Sequence, residues 1–209
     1  MLLPPSRRSP VAIAVAVLVG VLAAGCSDDA PAKPEPSRPT PIGKLDTAAV
    51  VIPRIAFCDL VPDDAVQDAL GGAAAESQEW GTGEPAARVV GGRHDATHEF
   101  GCSWSGTGGT TASAWVFARP VTAAFAQQVV RQASSAQGCT TPPAGAFGAP
   151  TELQVCTLPG ATERVRRAGL FGDTWLTCQV TAPAGATAAL RERADAWCVQ
   201  LTHALDTAR

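Results

Sequence analysis

The chain has 209 residues, with 16 basic against 19 acidic side chains and a formal net charge of -3. At 46% apolar and 17% charged residues it is too hydrophobic for a disordered chain, and its single short apolar run excludes a polytopic membrane protein. The near balance of charge also excludes the broad basic field on which nucleic-acid binding depends.

Residues 1–25 read as an export signal. Arg7 and Arg8 form a positive n-region, and Val11–Ala24 is an uncharged run, shorter than the roughly 20 residues of a spanning helix. The run ends in Leu22-Ala23-Ala24-Gly25-Cys26, which resembles a bacterial lipobox. Small residues before the cysteine admit a signal peptidase, and Cys26 is the expected lipidation site. Here Ala23 occupies the place usually held by Leu, which sits one residue earlier. Ser6-Arg7-Arg8 also resembles a twin-arginine start, but Pro10 stands where that motif prefers an apolar residue, so the general export route is expected. Residues 26–49 include Pro31, Pro34, Pro36, Pro39 and Pro41 and are expected to form an extended tether. The expected location is the extracytoplasmic face of the cell membrane.

Residues 50–208 suffice for one domain with its own core. Six cysteines fall there, and an even number in an exported domain reads as a disulfide framework. No CxxC pair is present and histidine is scarce, which argues against zinc. Sequence alone leaves the connectivity open; neighbour pairing is favoured, giving Cys58–Cys102, Cys139–Cys156 and Cys178–Cys198.

The first expected element is a short helix opened by Val61-Pro62-Asp63-Asp64 and stopped by Gly71-Gly72, with acids near its positive end. Residues 72–98 read as a long loop with one strand at Ala87–Val90. Glu99–Ser105 and Thr111–Arg119 read as a hairpin. Pro120 starts a second helix, with Val121, Phe125 and Val129 four apart on one face. Glu152–Leu158 is a strand, and Glu163–Phe171 pairs with Thr174–Thr181 across Gly172-Asp173. The last helix carries Leu190, Ala194, Trp197, Leu201 and Leu205 as an apolar stripe, with Cys198 placed to reach Cys178. A hairpin followed by a helix occurs twice. The expected fold is α+β: a single antiparallel sheet built from two hairpins, with helices packed on one face and three disulfides.

Cys58-Asp59-Leu60-Val61-Pro62 before a Gly-ended helix, Cys102-Ser103-Trp104, and Gly172-Asp173-Thr174-Trp175 together resemble the small actinobacterial lipoproteins of unknown function. In those, a tethered α+β domain starts at a C-x-L helix and meets a later C-x-W strand. The resemblance implies the same location and fold class and supports a Cys58–Cys102 bridge. It implies no catalytic residue.

Several groups carry residue types suited to chemistry. His94 and His98 are four apart with Glu99 adjacent, a metal-binding spacing on a helix, but Gly91-Gly92 precedes them and a strand follows, so a solvated loop is the expectation. His203 falls near the end of the last helix, where the carbonyl dipoles favour it. Gly101-Cys102-Ser103-Trp104-Ser105 resembles a nucleophile elbow except that Ser105 stands in place of the second glycine. No phosphate-binding loop is present, and residues 50–208 contain no lysine. Arg164 and Arg166 should point to one side of their strand and Arg167 to the other; with Arg191 and Arg193 they form the leading candidate for gripping carboxylate or phosphate. Trp80 is the candidate aromatic contact, whereas Trp104 and Trp197 are expected in the core. These readings converge on a lipid-anchored, non-enzymatic module without cofactor or bound metal. Its expected partners are the membrane, through Cys26, and an envelope protein or cell-wall glycan. The rival is a cell-wall hydrolase with His94, His98 and Glu99 brought near Asp173.

Overall fold

The computed structural model describes residues 40–83, 85–90, 93–96, 98–185 and 187–208. The expected signal segment, Cys26 and the tether up to residue 39 lie outside the described residues. Helices α1 (Asp63–Leu70), α2 (Ala123–Ala133) and α3 (Thr187–Asp206) accompany strands β1 (Ala74–Trp80), β2 (Pro85–Val90), β3 (Arg93–Ala96), β4 (Glu99–Gly106), β5 (Thr111–Phe117), β6 (Cys139–Thr140), β7 (Thr151–Leu158), β8 (Thr162–Phe171) and β9 (Thr174–Pro183). Seven strands make one antiparallel sheet in the order β1-β4-β5-β9-β8-β7-β6, and β2 pairs with β3 separately. The fold is α+β, with three helices packed on the sheet and three disulfides.

The two hairpins, β4–β5 and β8–β9, join where β5 runs beside β9, from Thr111 opposite Thr181 to Val116 opposite Leu176. Side chains alternate across a strand, so each register fixes two faces. One face carries Cys102, Trp104, Ala112, Ala114, Val116, Val165, Leu176, Cys178 and Val180, all buried. Onto it pack α1 and α3, the latter through Leu190, Ala194, Trp197, Leu201 and Leu205, which are 5% exposed or less. Trp197 meets Trp104 edge to face at 5.5 Å, and its indole donates to the Ser113 carbonyl at 3.2 Å. An indole N–H buried without such an acceptor would cost its full desolvation. Arg167 is buried on this face too; its guanidinium pairs with Asp195 of α3 and donates to the Ala144 carbonyl.

The disulfides tie elements together across this plan. Cys178–Cys198 joins β9 to α3, Cys58–Cys102 holds the turn before α1 to β4, and Cys139–Cys156 links directly opposed residues of β6 and β7. Residues 40–49, the end of the expected tether, also lie against the body. Ile42, Leu45 and Val50 pack on the core, and the Val51 amide donates to Asp206 of α3 at 2.9 Å.

Three local expectations change. The reading of residues 72–98 as a loop with one strand misses β1 and also β3, which takes His94 out of the expected loop; in β1, Ala74-Ala-Glu-Ser-Gln-Glu shows no alternation. All six of those residues are exposed, and the strand forms as an edge by pairing with β4. In α2 the expected stripe of Val121, Phe125 and Val129 holds at Val121 and Val129 but not at Phe125. Thr122 caps the helix, its hydroxyl accepting from the Phe125 amide at 3.2 Å, so Val121 precedes the first turn. The inward stripe becomes Ala126, Val129 and Val130, and Phe125 is left 48% exposed. Finally, α1 and α3 share one face, whereas α2 lies on the opposite face against Phe117, Ala168, Leu170 and Trp175. The stop of α1 is as read: Gly71 takes the left-handed conformation at φ 72°.

Removing the helix-to-sheet staple with Cys178→Ala/Cys198→Ala is expected to lower the stability of the folded chain by about 2–4 kcal/mol in urea unfolding. For α2, Phe125→Ser is expected to change stability by less than about 0.5 kcal/mol. Ala126→Leu should cost about 1–3 kcal/mol by overpacking. A larger effect at Phe125 than at Ala126 would contradict the phase of that helix.

Candidate functional site

The face opposite α1 and α3 is the chemically unusual part of the sheet. The register runs in rows across it. Trp80 of β1 lies opposite Gly101 of β4, which lies opposite Trp115 of β5, then Thr177 of β9, Ala168 of β8 and Glu152 of β7. The next row is Gln78, Ser103, Ser113, Gln179, Arg166 and Gln154. A strand buried on both faces is ordinarily apolar on both, yet these positions are largely polar. Helix α2 lies over the β7–β8 side of this face, where the Gln154 amide donates to the Ala133 carbonyl at 2.9 Å. No described helix covers the β1–β4–β5 side.

Gly101 is set by its neighbours. A Cβ there would fall 2.2 Å from Cζ2 of Trp80 and 2.9 Å from Cβ of Trp115, so only glycine lets the Trp80 ring rest on the strand. The Trp80 indole N–H donates to Oε1 of Glu99 at 3.1 Å, which fixes the ring's orientation. Trp115 is only partly buried, and the Arg166 guanidinium stands 5.6 Å from its ring centre. The hydroxyls of Ser103 and Ser113 are 3.1 Å apart. Arg164, from the same side of β8, donates to Gln154 Oε1 at 3.1 Å and contacts Cys156 Sγ at 3.2 Å.

The electrostatics of this face are poorly compensated. Glu152 is 3% exposed, and neither carboxylate oxygen accepts a hydrogen bond among the described residues; Arg166 Nε stands 4.0 Å away. Thr177 Oγ1 and the Trp175 indole N–H, on the same face, are likewise buried without a hydrogen-bond partner. Native proteins leave few such groups, and each costs roughly 1–3 kcal/mol. Burial raises the Glu152 carboxyl above its ordinary 4.5, outweighing the attraction of Arg166 and then Arg164. Glu99 is raised for the same reason, against the opposing effects of the Trp80 hydrogen bond and of Arg166. Two arginines, two carboxyls, two tryptophans and several hydroxyl and amide groups therefore share one surface, able to donate, accept and stack.

The structure divides the sequence candidates. Arg164, Arg166 and Trp80 belong to this face. Arg191 and Arg193 do not join them, because α3 packs on the other side of the sheet; the Arg193 guanidinium sits beside Gly71 at the end of α1. Arg167 points toward α3, as the strand alternation required. His94 lies in β3 opposite Val89, and His98 is exposed. Among the described residues no three His, Cys, Asp or Glu side chains are close enough to share a metal ion. The groups named for a hydrolase are engaged separately: Asp173 pairs with Arg54, and Glu99 accepts from Trp80. His203 is exposed in the last turn of α3. Trp115, Glu152, Gln154 and Thr177 were not singled out in the sequence. The available signal was a run of polar residues at every second position of strands whose other positions are core.

The sign of the pH effect follows from the raised carboxyls. A carboxyl whose folded value exceeds its unfolded one binds more protons in the folded state, so stability falls as pH rises. Urea unfolding is therefore expected to show stability declining from about pH 4.5 upward through the raised values, superimposed on the other groups. Glu152→Gln should flatten that decline; an unchanged slope would show that Glu152 is not destabilised by burial. No protein-family model matches the chain, and no curated protein matches it significantly.

Proposed function

We propose that the protein is a lipid-anchored module of the cell envelope that binds a ligand on the sheet face bearing Trp80, Trp115 and Arg166, and that it catalyses no reaction. Three disulfides point to an extracytoplasmic protein, since such bridges persist in oxidising compartments. Among the described residues no helix is long and apolar enough to cross a membrane. Attachment through Cys26 rests on the lipobox-like Leu22-Ala23-Ala24-Gly25-Cys26. The resemblance to small actinobacterial lipoproteins supports the same assignment.

The observation that carries the binding reading is Arg166, partly exposed, 5.6 Å from the Trp115 ring centre and imperfectly paired, at 4.0 Å, with the buried Glu152. A pair of this kind adds little stability to a fold. Of the two, the partly exposed arginine is the group that a polar ligand could reach. The adjacent tryptophans supply the contact area that binding surfaces commonly take from aromatic side chains. The engagement of Asp173 by Arg54 favours binding over hydrolysis.

The anchor is tested by metabolic labelling with palmitate: label is expected on the wild-type chain and lost in Cys26→Ser, and an unlabelled wild type would contradict it. The surface is tested by placing a photo-crosslinking amino acid at Ser103 or at Arg191 in the anchored protein. Irradiation of intact cells is expected to give adducts from position 103 and none from position 191. Adducts from position 191 alone would place the contact on the helical face instead.

A further inference from the structure

We infer that the ligand is an uncharged glycan, one of whose pyranose rings stacks on Trp80 while its hydroxyls engage the polar groups around Trp115 and Arg166. The inference rests on the reading of this face as the binding surface and adds the class of ligand.

The starting point is how Trp80 is held. One side of its indole is pressed to the strand at Gly101, where a Cβ would fall 2.2 Å from the ring. Its single polar atom is committed to Glu99 at 3.1 Å. The ring is thereby fixed in orientation, and Trp80 is only partly buried, so part of its apolar surface remains accessible. A pyranose has a face of C–H groups that matches such a surface, and binding to a ring already held in place loses little conformational freedom.

A sugar's remaining requirement is for hydroxyl partners, each of which both donates and accepts. The surface supplies both. Arg166, whose side chain is 22% exposed, offers guanidinium donors, and Gln78, exposed on the same face, offers an amide that both donates and accepts. The Ser103–Ser113 pair, at 3.1 Å, can serve in either sense.

Charge decides between classes of ligand. Arg164 and Arg166 are matched on the same face by Glu99 and Glu152, and lysine is absent beyond residue 44. A phosphate or sulfate polymer would meet the field of both carboxyls as well as of both arginines, whereas a neutral polyol meets no net charge to oppose it. The match is to an uncharged hexose polymer.

The test is affinity electrophoresis of the full chain, held in mild non-ionic detergent, through native gels cast with mannan, dextran or hydroxyethylcellulose, and with dextran sulfate as the polyanion. At least one neutral polysaccharide is expected to slow migration twofold or more, and dextran sulfate to leave it unchanged. Trp80→Ala is expected to weaken retardation by tenfold or more; Trp80→Phe, which keeps a ring, and Arg166→Gln should weaken it less. Unfolding curves accompany each variant, so that loss of fold is recognised. If Trp80→Ala does not fold, the Phe and Gln variants decide. Retardation that survives these substitutions would overturn the site. Retardation by dextran sulfate alone would overturn the ligand class. If no neutral polysaccharide retards the chain while photo-adducts from position 103 persist, the glycan inference fails and the binding surface stands, with a protein partner as the alternative. If the adducts are missing as well, both fail.

Discussion

Everything in this fold depends on β9 lying between β5 and β8. Two hairpins, each able to form from nearby sequence, become one sheet only because residues 176–181 pair with β5 on one side while the whole strand pairs with β8 on the other. The strand is buried on both faces for most of its length. One set of its side chains, Leu176, Cys178 and Val180, meets the helical layer, and Cys178 fastens that layer covalently through Cys198. A loss of pairing here would separate the halves of the core and the helix that covers them, so the sheet and α3 are expected to form one cooperative unit.

The same strand sets the contrast between the faces. Toward α1 and α3 it contributes apolar groups in close packing, with Trp197 against Trp104 and Arg167 locked by Asp195. Toward the other side it contributes Trp175 and Thr177, whose polar atoms are buried without hydrogen-bond partners among the described residues, near Glu152 in the same condition. A fold selected for stability alone would fill such positions with apolar residues or satisfy their hydrogen bonds. Departures from that rule in one patch are the physical basis for reading it as a binding surface. The low charge of the chain agrees, since the patch presents hydrogen-bonding groups of both kinds and not a field of one sign.

Much of the fold is legible in the sequence. The helix ended by Gly71, the two hairpins, the stripe from Leu190 to Leu205 and the spacing of Cys178 before Cys198 all follow local rules of capping and periodicity. Less legible are the features set by pairing between distant segments. Strand β1 has an exposed polar sequence and exists as a strand through its register with β4. In α2, capped by Thr122, Ala126 and Val130 pack inward with Val129, and Phe125, which the apolar spacing puts on the stripe, is left exposed. The binding face is the extreme case. Arg164, Arg166 and Trp80 stand out by composition, but Trp115, Glu152 and Thr177 acquire meaning only when the register sets them in one row. Arg191 and Arg193 resemble members of the same cluster in sequence and are excluded by the side of the sheet on which α3 lies.

The central claim is that the pair of partly exposed Arg166 and buried Glu152 does not hold the fold together and that the arginine serves a ligand. The most direct measurement is urea unfolding of Glu152→Met/Arg166→Met, which replaces both charges with apolar groups of similar length. The account predicts stability equal to or above wild type, in keeping with the low worth of imperfectly paired buried charges. A loss of about 3 kcal/mol or more would mean that the pair holds the sheet together, and would contradict the account.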